Sequence, residues 1–183
     1  EGAFALLLGL AKRFKPIHGA MQTSGWIWPE PRWIASDLAG KTIGLVGLGR
    51  IGRSMARMAG GFGMRVLGYD PHLPIWPHRL AERCDDLDAM LGECDAVSLH
   101  CVLNASTRHL IGAGQLARLK PSAWLVNVSR GELVDELALL DISATPGDRG
   151  PNFDLVQDVA SECFMPLAYG GGIRGLEDAK RLF

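Results

Sequence analysis

No apolar run in this sequence is long enough to cross a bilayer. The most continuous one, Ala3 to Ala11, falls far short of the roughly 20 residues a spanning helix needs. It follows Glu1 with no basic flank, so a packed helix is expected there rather than a signal-peptide core. Basic runs are lacking too. The 19 Lys and Arg are scattered among 20 Asp and Glu, for a net charge of −1, so neither nucleic acid nor an anionic membrane is an expected partner. Cys84, Cys94, Cys101 and Cys163 form no C-x-x-C pair and no metal-ligand spacing, which predicts reduced, packed thiols and a cytoplasmic protein. His72 and His78 stand among three prolines with no third ligand, so no metal site is expected. The first residue is Glu, not Met. The chain is therefore expected to begin part-way through a longer protein or after processing.

What is present is an ordinary globular composition, 48% hydrophobic and 21% charged, in 183 residues. That length suggests one domain, or one with a partial second. The stretch from Thr42 to Asp70 organises it. Ile43, Leu45 and Val46 suit a strand buried on both faces. Gly47, Gly49 and Gly52 follow with G-x-G-x-x-G spacing and open a helical pattern in which Ile51, Met55 and Met58 share a face. Gly47 permits the tight turn, Gly49 a close backbone approach to a pyrophosphate, and Gly52 close packing of helix on strand. The helix N-terminus offers unpaired N–H groups to phosphates. Gly60 and Gly61 are expected to end that helix, and Met64 to Tyr69 to form the next strand. Asp70 then stands where a carboxylate accepts from both ribose hydroxyls and repels a 2′-phosphate, which favours NAD over NADP.

Upstream, Phe4, Leu7, Leu8 and Ala11 predict a helix over 3–14, stopped by Pro16. Ile17 to Leu38 reads as a connecting arm whose Trp26, Trp28 and Trp33 pack against a helix. Downstream, prolines make 71–78 an extended loop, and Asp85 or Asp86 caps a short helix through Leu91. Ala96 to Leu99 predicts a buried strand ending at His100. One or two short helices follow over 106–119, interrupted by Gly112 and Gly114, and then a strand over Ala123 to Val128. In an open parallel sheet, ligands bind just beyond the strand C-termini. The glycine turn, the end at His100 to Val102 and the end at Val128 to Arg130 are thus expected to converge on one crevice. Arg130 brings a planar fork suited to a small carboxylate.

Asp37 to Gly44, the glycine motif, Phe62 to Val66, Tyr69 to Pro71, Ser98 to Cys101, Asn104 to Ile111 and Asn127 to Glu136 carry a resemblance. Together they make residues 1 to about 140 similar to the nucleotide-binding domain of the D-isomer-specific 2-hydroxyacid dehydrogenases. That resemblance implies a Rossmann-like, doubly wound parallel α/β sheet that binds NAD, a small 2-hydroxy or 2-oxo acid as substrate, and a homodimer. It implies that Arg50 and Ile51 lie under the pyrophosphate and that Asp70 holds the adenosine ribose. Cys101 would line the groove, and Val128, Ser129 and Arg130 would approach the nicotinamide side, with Arg130 as the catalytic arginine that orients the substrate. Val102 stands where the family usually has proline. The family's acid/base histidine and its paired carboxylate follow the matched arginine, yet no histidine occurs after His109. Nor do Glu132, Glu136, Glu162 and Glu177 sit in the family's acid motif, and the first half of its substrate domain should precede residue 1. General acid/base catalysis contributes roughly a hundred- to ten-thousand-fold, so at most trace turnover is expected from this chain alone.

Residues 135 to 183 resemble a different protein. Leu139 to Thr145, Asp154 to Ala160, and Phe164 to Leu167 leading to Gly170 to Arg174 look like a fragment of the cyclase subunit of imidazole glycerol phosphate synthase, a (βα)8-barrel. The expected organisation is therefore a Rossmann domain over 1–140 and a barrel-like βαβα fragment over 141–183, packed on the first domain with Phe164 to Tyr169 extending its sheet. The two resemblances overlap across 134–141, helix by one and strand by the other. Two other functions compete with a catalytically incomplete NAD-binding domain. One is an active oxidoreductase completed by a partner chain, and the other is an interaction module whose glycine turn binds nothing.

Overall fold

β1 (Thr42–Val46) is the middle strand of a five-stranded parallel sheet. β2 (Arg65–Tyr69) and β3 (Glu82–Arg83) lie to one side, and β4 (Ala96–Leu99) and β5 (Trp124–Asn127) to the other, in the order β3-β2-β1-β4-β5. The computed structural model describes residues 1–26 and 34–135. They fall into two units, Glu1–Val102 with Leu119–Ser129, and a second whose described residues are 103–118 and 130–135.

Helices cover both faces of the sheet because β1 is apolar on both. α1 (Gly2–Ala11) and α3 (Arg50–Gly61) share one core with Ile43 and Leu45, to which they contribute Phe4, Leu7, Met55, Ala56 and Ala59. On the opposite face Gly44 leaves room for α4 (Leu87–Glu93). A Cβ at Gly44 would stand 2.6 Å from Cys94 Sγ and 3.2 Å from Met90 Cε. Asp86 caps α4 by accepting from the Asp88 and Ala89 N–H groups, a device worth about 1 kcal/mol.

Several expectations need adjustment. Pro16 does not stop the first helix. α1 ends at Ala11, Arg13 takes a left-handed turn at φ 52°, and α2 (Phe14–Ser24) carries Pro16 in its first turn, where a missing N–H costs nothing. The connecting arm is thus helical to Ser24, and Trp26 is exposed. Trp28 and Trp33 lie outside the described residues. Gly60 and Gly61 are helical, and the stop comes at Gly63 with φ 73°. There the Met64 N–H bonds Ala59 O and the Gly63 N–H bonds Gly60 O, closing the last carbonyls in a Schellman motif. β3 has no apolar run that would announce it.

In the second unit α5 (Ala113–Leu116) starts after Gly112 and includes Gly114, so neither glycine interrupts a helix. A single 3-10 turn, Gly131–Leu133, follows, and Ile111 makes an isolated parallel bridge with Val134. Everything expected of 136–183, including the barrel-like fragment and its sheet extension, lies outside the described residues.

Candidate functional site

The register of the sheet sets four strand ends in one row. Val46 pairs with Tyr69 on one side and Leu99 on the other, and Leu99 pairs with Asn127. The next residues along each strand are Gly47, Asp70, His100 and Val128. These form the rim of the crevice where strand order reverses across β1, the place where open α/β sheets bind ligands.

The three motif glycines are glycine for different reasons. Gly47 has φ 93°, and a Cβ there would stand 2.7 Å from the Cys101 backbone nitrogen. A Cβ on Gly52 would lie 2.1 Å from Gly47 O. Both are required by the protein's own packing. Gly49, at φ −66° and ψ −161°, is in ordinary extended backbone, and nothing lies within 4 Å of where its Cβ would be. The fold does not need glycine there, and the space before it is open. Gly49 also begins α3 with no side-chain cap, so the first N–H groups of the helix remain available to an anion.

Asp70 closes one side of this turn. Its Oδ2 accepts from the Leu48 N–H at 2.9 Å and its Oδ1 from the His72 N–H at 3.2 Å. A carboxylate has about four acceptor positions, so half its capacity is left for hydroxyls. Arg53, on the first turn of α3, donates from Nε to Leu48 O at 2.9 Å. The Leu48 side chain is fully buried over Gly68, where a Cβ would meet Leu48 Cδ1 at 2.5 Å and Trp76 at 3.1 Å.

Across the crevice the Ser129 hydroxyl donates to Leu99 O at 2.9 Å and its N–H to Asn127 Oδ1 at 3.0 Å, fastening the end of β5 to β4. Cys101 is half-buried. Burial pushes its thiol pKa up, a backbone hydrogen bond opposes this, and the Asp70 charge adds to the rise. The thiol is therefore neutral at pH 7 and a packing group. His100 bonds Ser98 Oγ through Nε2 at 3.0 Å, while its buried Nδ1 has no hydrogen-bond partner. Burial pushes the imidazole down to about 4, so it too is neutral at pH 7. A cavity of about 470 Å³ is lined by Arg50, Ile51, Met55 and Met58 of α3 together with His100 and Val128. Ile51, Met55 and Met58 thus do share a face, but Ile51 is exposed on it; the buried side of α3 is Gly52, Met55, Ala56 and Ala59.

Of the expected residues, Gly47, Gly49, Arg50, Ile51, Gly52, Asp70, Cys101, Val128 and Ser129 all belong to the first unit. Arg130 belongs to the second, where it is exposed at the start of the 3-10 turn and its carbonyl accepts from the Leu133 N–H at 3.2 Å. In the same unit Arg108 and Glu132 form an ion pair. Sequence reasoning brought the His100 strand end to the crevice without naming His100 as a site residue, and it missed Arg53. The position of His100 one residue past a buried strand was the available signal; nothing in the sequence announced the bond from Arg53 to Leu48. Among the described residues no group of three or more His, Cys, Asp or Glu is placed to hold a metal ion. No helix among them is long and apolar enough to cross a membrane.

Comparison with known proteins agrees with this fold. The family model for the D-isomer specific 2-hydroxyacid dehydrogenase, NAD binding domain, matches residues 4–159. That match runs on past residue 141, where a barrel-like fragment was expected to begin. A glyoxylate reductase of Korarchaeum cryptofilum is 42% identical over 140 residues, which span 75% of this chain and 42% of the relative. A D-3-phosphoglycerate dehydrogenase of Methanocaldococcus jannaschii is 40% identical over 143 residues, 77% of this chain and 27% of the relative. The solved D-lactate dehydrogenase of Aquifex aeolicus, complexed with NAD and lactic acid, superposes with a TM-score of 0.70 at 32% identity, over 76% of this chain and 41% of that one. The chain thus spans less than half the length of these relatives.

Proposed function

The chain belongs to the D-isomer specific 2-hydroxyacid dehydrogenase family, at its NAD-binding domain, and from this premise we propose that it binds NAD in the crevice beyond β1, β2, β4 and β5. One observation carries the reading: the open space at Gly49 before an uncapped helix, in a turn whose other two glycines the fold itself requires. The N–H groups at the start of α3, including those of Arg50 and Ile51, hold the pyrophosphate by hydrogen bonds and by the helix dipole. Asp70 keeps acceptor capacity for the hydroxyls of the adenosine ribose, and its negative charge disfavours a 2′-phosphate. Cys101, Val128 and Ser129 form the neutral wall toward the nicotinamide, keeping charge away from it.

When bound, NAD supplies the carbon that accepts or donates a hydride. Arg130 orients a small 2-hydroxy or 2-oxo acid through its carboxylate. His100 is unsuited to donating the accompanying proton at pH 7, since burial pushes its pKa down to about 4. No histidine follows His109 to match the family's acid/base group, so the second reading is an oxidoreductase completed by a partner chain that supplies histidine and acid. The protein acts in the cytoplasm as a homodimer. Titrating the chain into NADH and following nicotinamide fluorescence tests the main reading. Saturable enhancement is expected, and a signal that never saturates would reject NAD binding.

A further inference from the structure

Leu48 is gripped at both ends of its backbone. Its N–H goes to Asp70 Oδ2 and its C=O receives Arg53 Nε, each at 2.9 Å, while its side chain is buried over Gly68. The Leu48 carbonyl and the Gly49 N–H belong to one peptide unit, and the chain contains no cis peptide among the described residues. In a trans peptide these two groups point in opposite directions. Whatever aims the carbonyl at Arg53 therefore aims the Gly49 N–H away from it. Gly49 is the residue with open space before it.

We propose that Arg53 is a positioning residue for dinucleotide binding. By holding Leu48 O against the first turn of α3, it presets the Leu48–Gly49 peptide so that the turn meets a diphosphate without rearranging. The inference rests on the proposed NAD binding and adds to it a residue outside the glycine motif that acts through geometry, not through its charge. A turn already held in its binding conformation loses less freedom when the ligand arrives, which raises affinity. Arg53 is half-buried, and the atom it uses is Nε, the part of the guanidinium nearest its own backbone. That choice of atom gives the test its selectivity. The Nε2 of glutamine stands the same number of bonds from the backbone as the Nε of arginine, and methionine has the same length with no donor.

The experiment compares Arg53→Gln and Arg53→Met with the unsubstituted chain. NADH affinity is read by fluorescence, adenosine binding by ligand-observed NMR, and folding by thermal melting. The loss of one preset hydrogen bond should weaken NADH binding about tenfold in the methionine variant. Adenosine, which presents a ribose and no phosphate, should bind all three proteins alike. The glutamine variant should recover NADH affinity to within about threefold of the unsubstituted chain, because it keeps the donor and loses only the charge. Arg53→Ala replaces the methionine variant if that one does not fold. NADH affinity unchanged without the donor overturns the inference, as does a glutamine variant as weak as methionine, or a parallel loss of adenosine. If the unsubstituted chain shows no saturable NADH signal, the proposed function falls and takes this inference with it.

Discussion

On the β1–β2 side of the crevice the chain presents backbone N–H groups and one carboxylate. On the β4–β5 side it presents a neutral imidazole, a neutral thiol and a serine that ties two strand ends together. The first side is assembled from backbone geometry: a left-handed glycine, a helix start without a cap, and a peptide held by Asp70 and Arg53. The second is assembled from burial, which holds the imidazole and the thiol in their neutral forms over a wider pH range. A dinucleotide carries its negative charge in the middle and its reactive ring at one end, so one side of such a site has to attract charge and the other has to exclude it. That division of labour is what the contrast teaches.

The contrast breaks most violently at Gly52. Gly52→Ala puts a methyl 2.1 Å from Gly47 O, a backbone atom that cannot step aside. A stability loss of about 3–5 kcal/mol is expected, read as a collapse of the thermal or urea midpoint. Asp70→Ala acts on both fold and ligand. It leaves the Leu48 N–H without its acceptor, costing about 1–3 kcal/mol, and NADH affinity measured by calorimetry should fall by about tenfold or more. Gly49→Ala separates the two: its backbone dihedral and empty surroundings admit a methyl, so the melting temperature should hold or rise slightly. NADH binding should nevertheless weaken by about tenfold, because the methyl stands where the ligand approaches.

The β4–β5 side is probed by acid. The folded pKa of His100 is about 4 against an ordinary value of 6.5, so between those limits the unfolded chain binds the extra proton. Stability is unaffected above pH 6.5 and is lost as the pH falls from there toward 4. Replacing the imidazole in His100→Leu should flatten the dependence of the urea midpoint on pH within that window and leave it unchanged above. A slope as steep as that of the unsubstituted chain would assign the acid sensitivity to other groups.

The glycine side was legible in the sequence because its demands are local. A buried apolar strand, three spaced glycines, a helical period and an acid at the next strand end each leave a mark within a few residues. The Asp86 cap was readable for the same reason. Pro16 was misread because the sequence does not say whether a proline follows one helix or begins the next. That choice was made by the left-handed turn at Arg13. β3 was invisible because two charged residues, Glu82 and Arg83, join the sheet by pairing with β2 and not by any pattern of their own. Likewise nothing local marks His100 as neutral or Arg53 as a clamp. Both properties come from what folding places around them. Arg130 illustrates the remaining limit: a sequence can nominate a carboxylate ligand, but the reach of a side chain is a property of three dimensions.

The strand order also has a kinetic consequence. β1 pairs with β2 after a single helical crossover, but its other edge waits for β4, so the pairing of Ile43 with Ala96 closes a loop of roughly fifty residues. Gly47 gains its backing against His100 and Cys101 only when that loop has closed. Cofactor affinity is therefore acquired late in folding. NAD added to a refolding reaction should leave the folding rate nearly unchanged and slow the unfolding rate, the signature of a ligand that recognises the finished sheet and not the route to it.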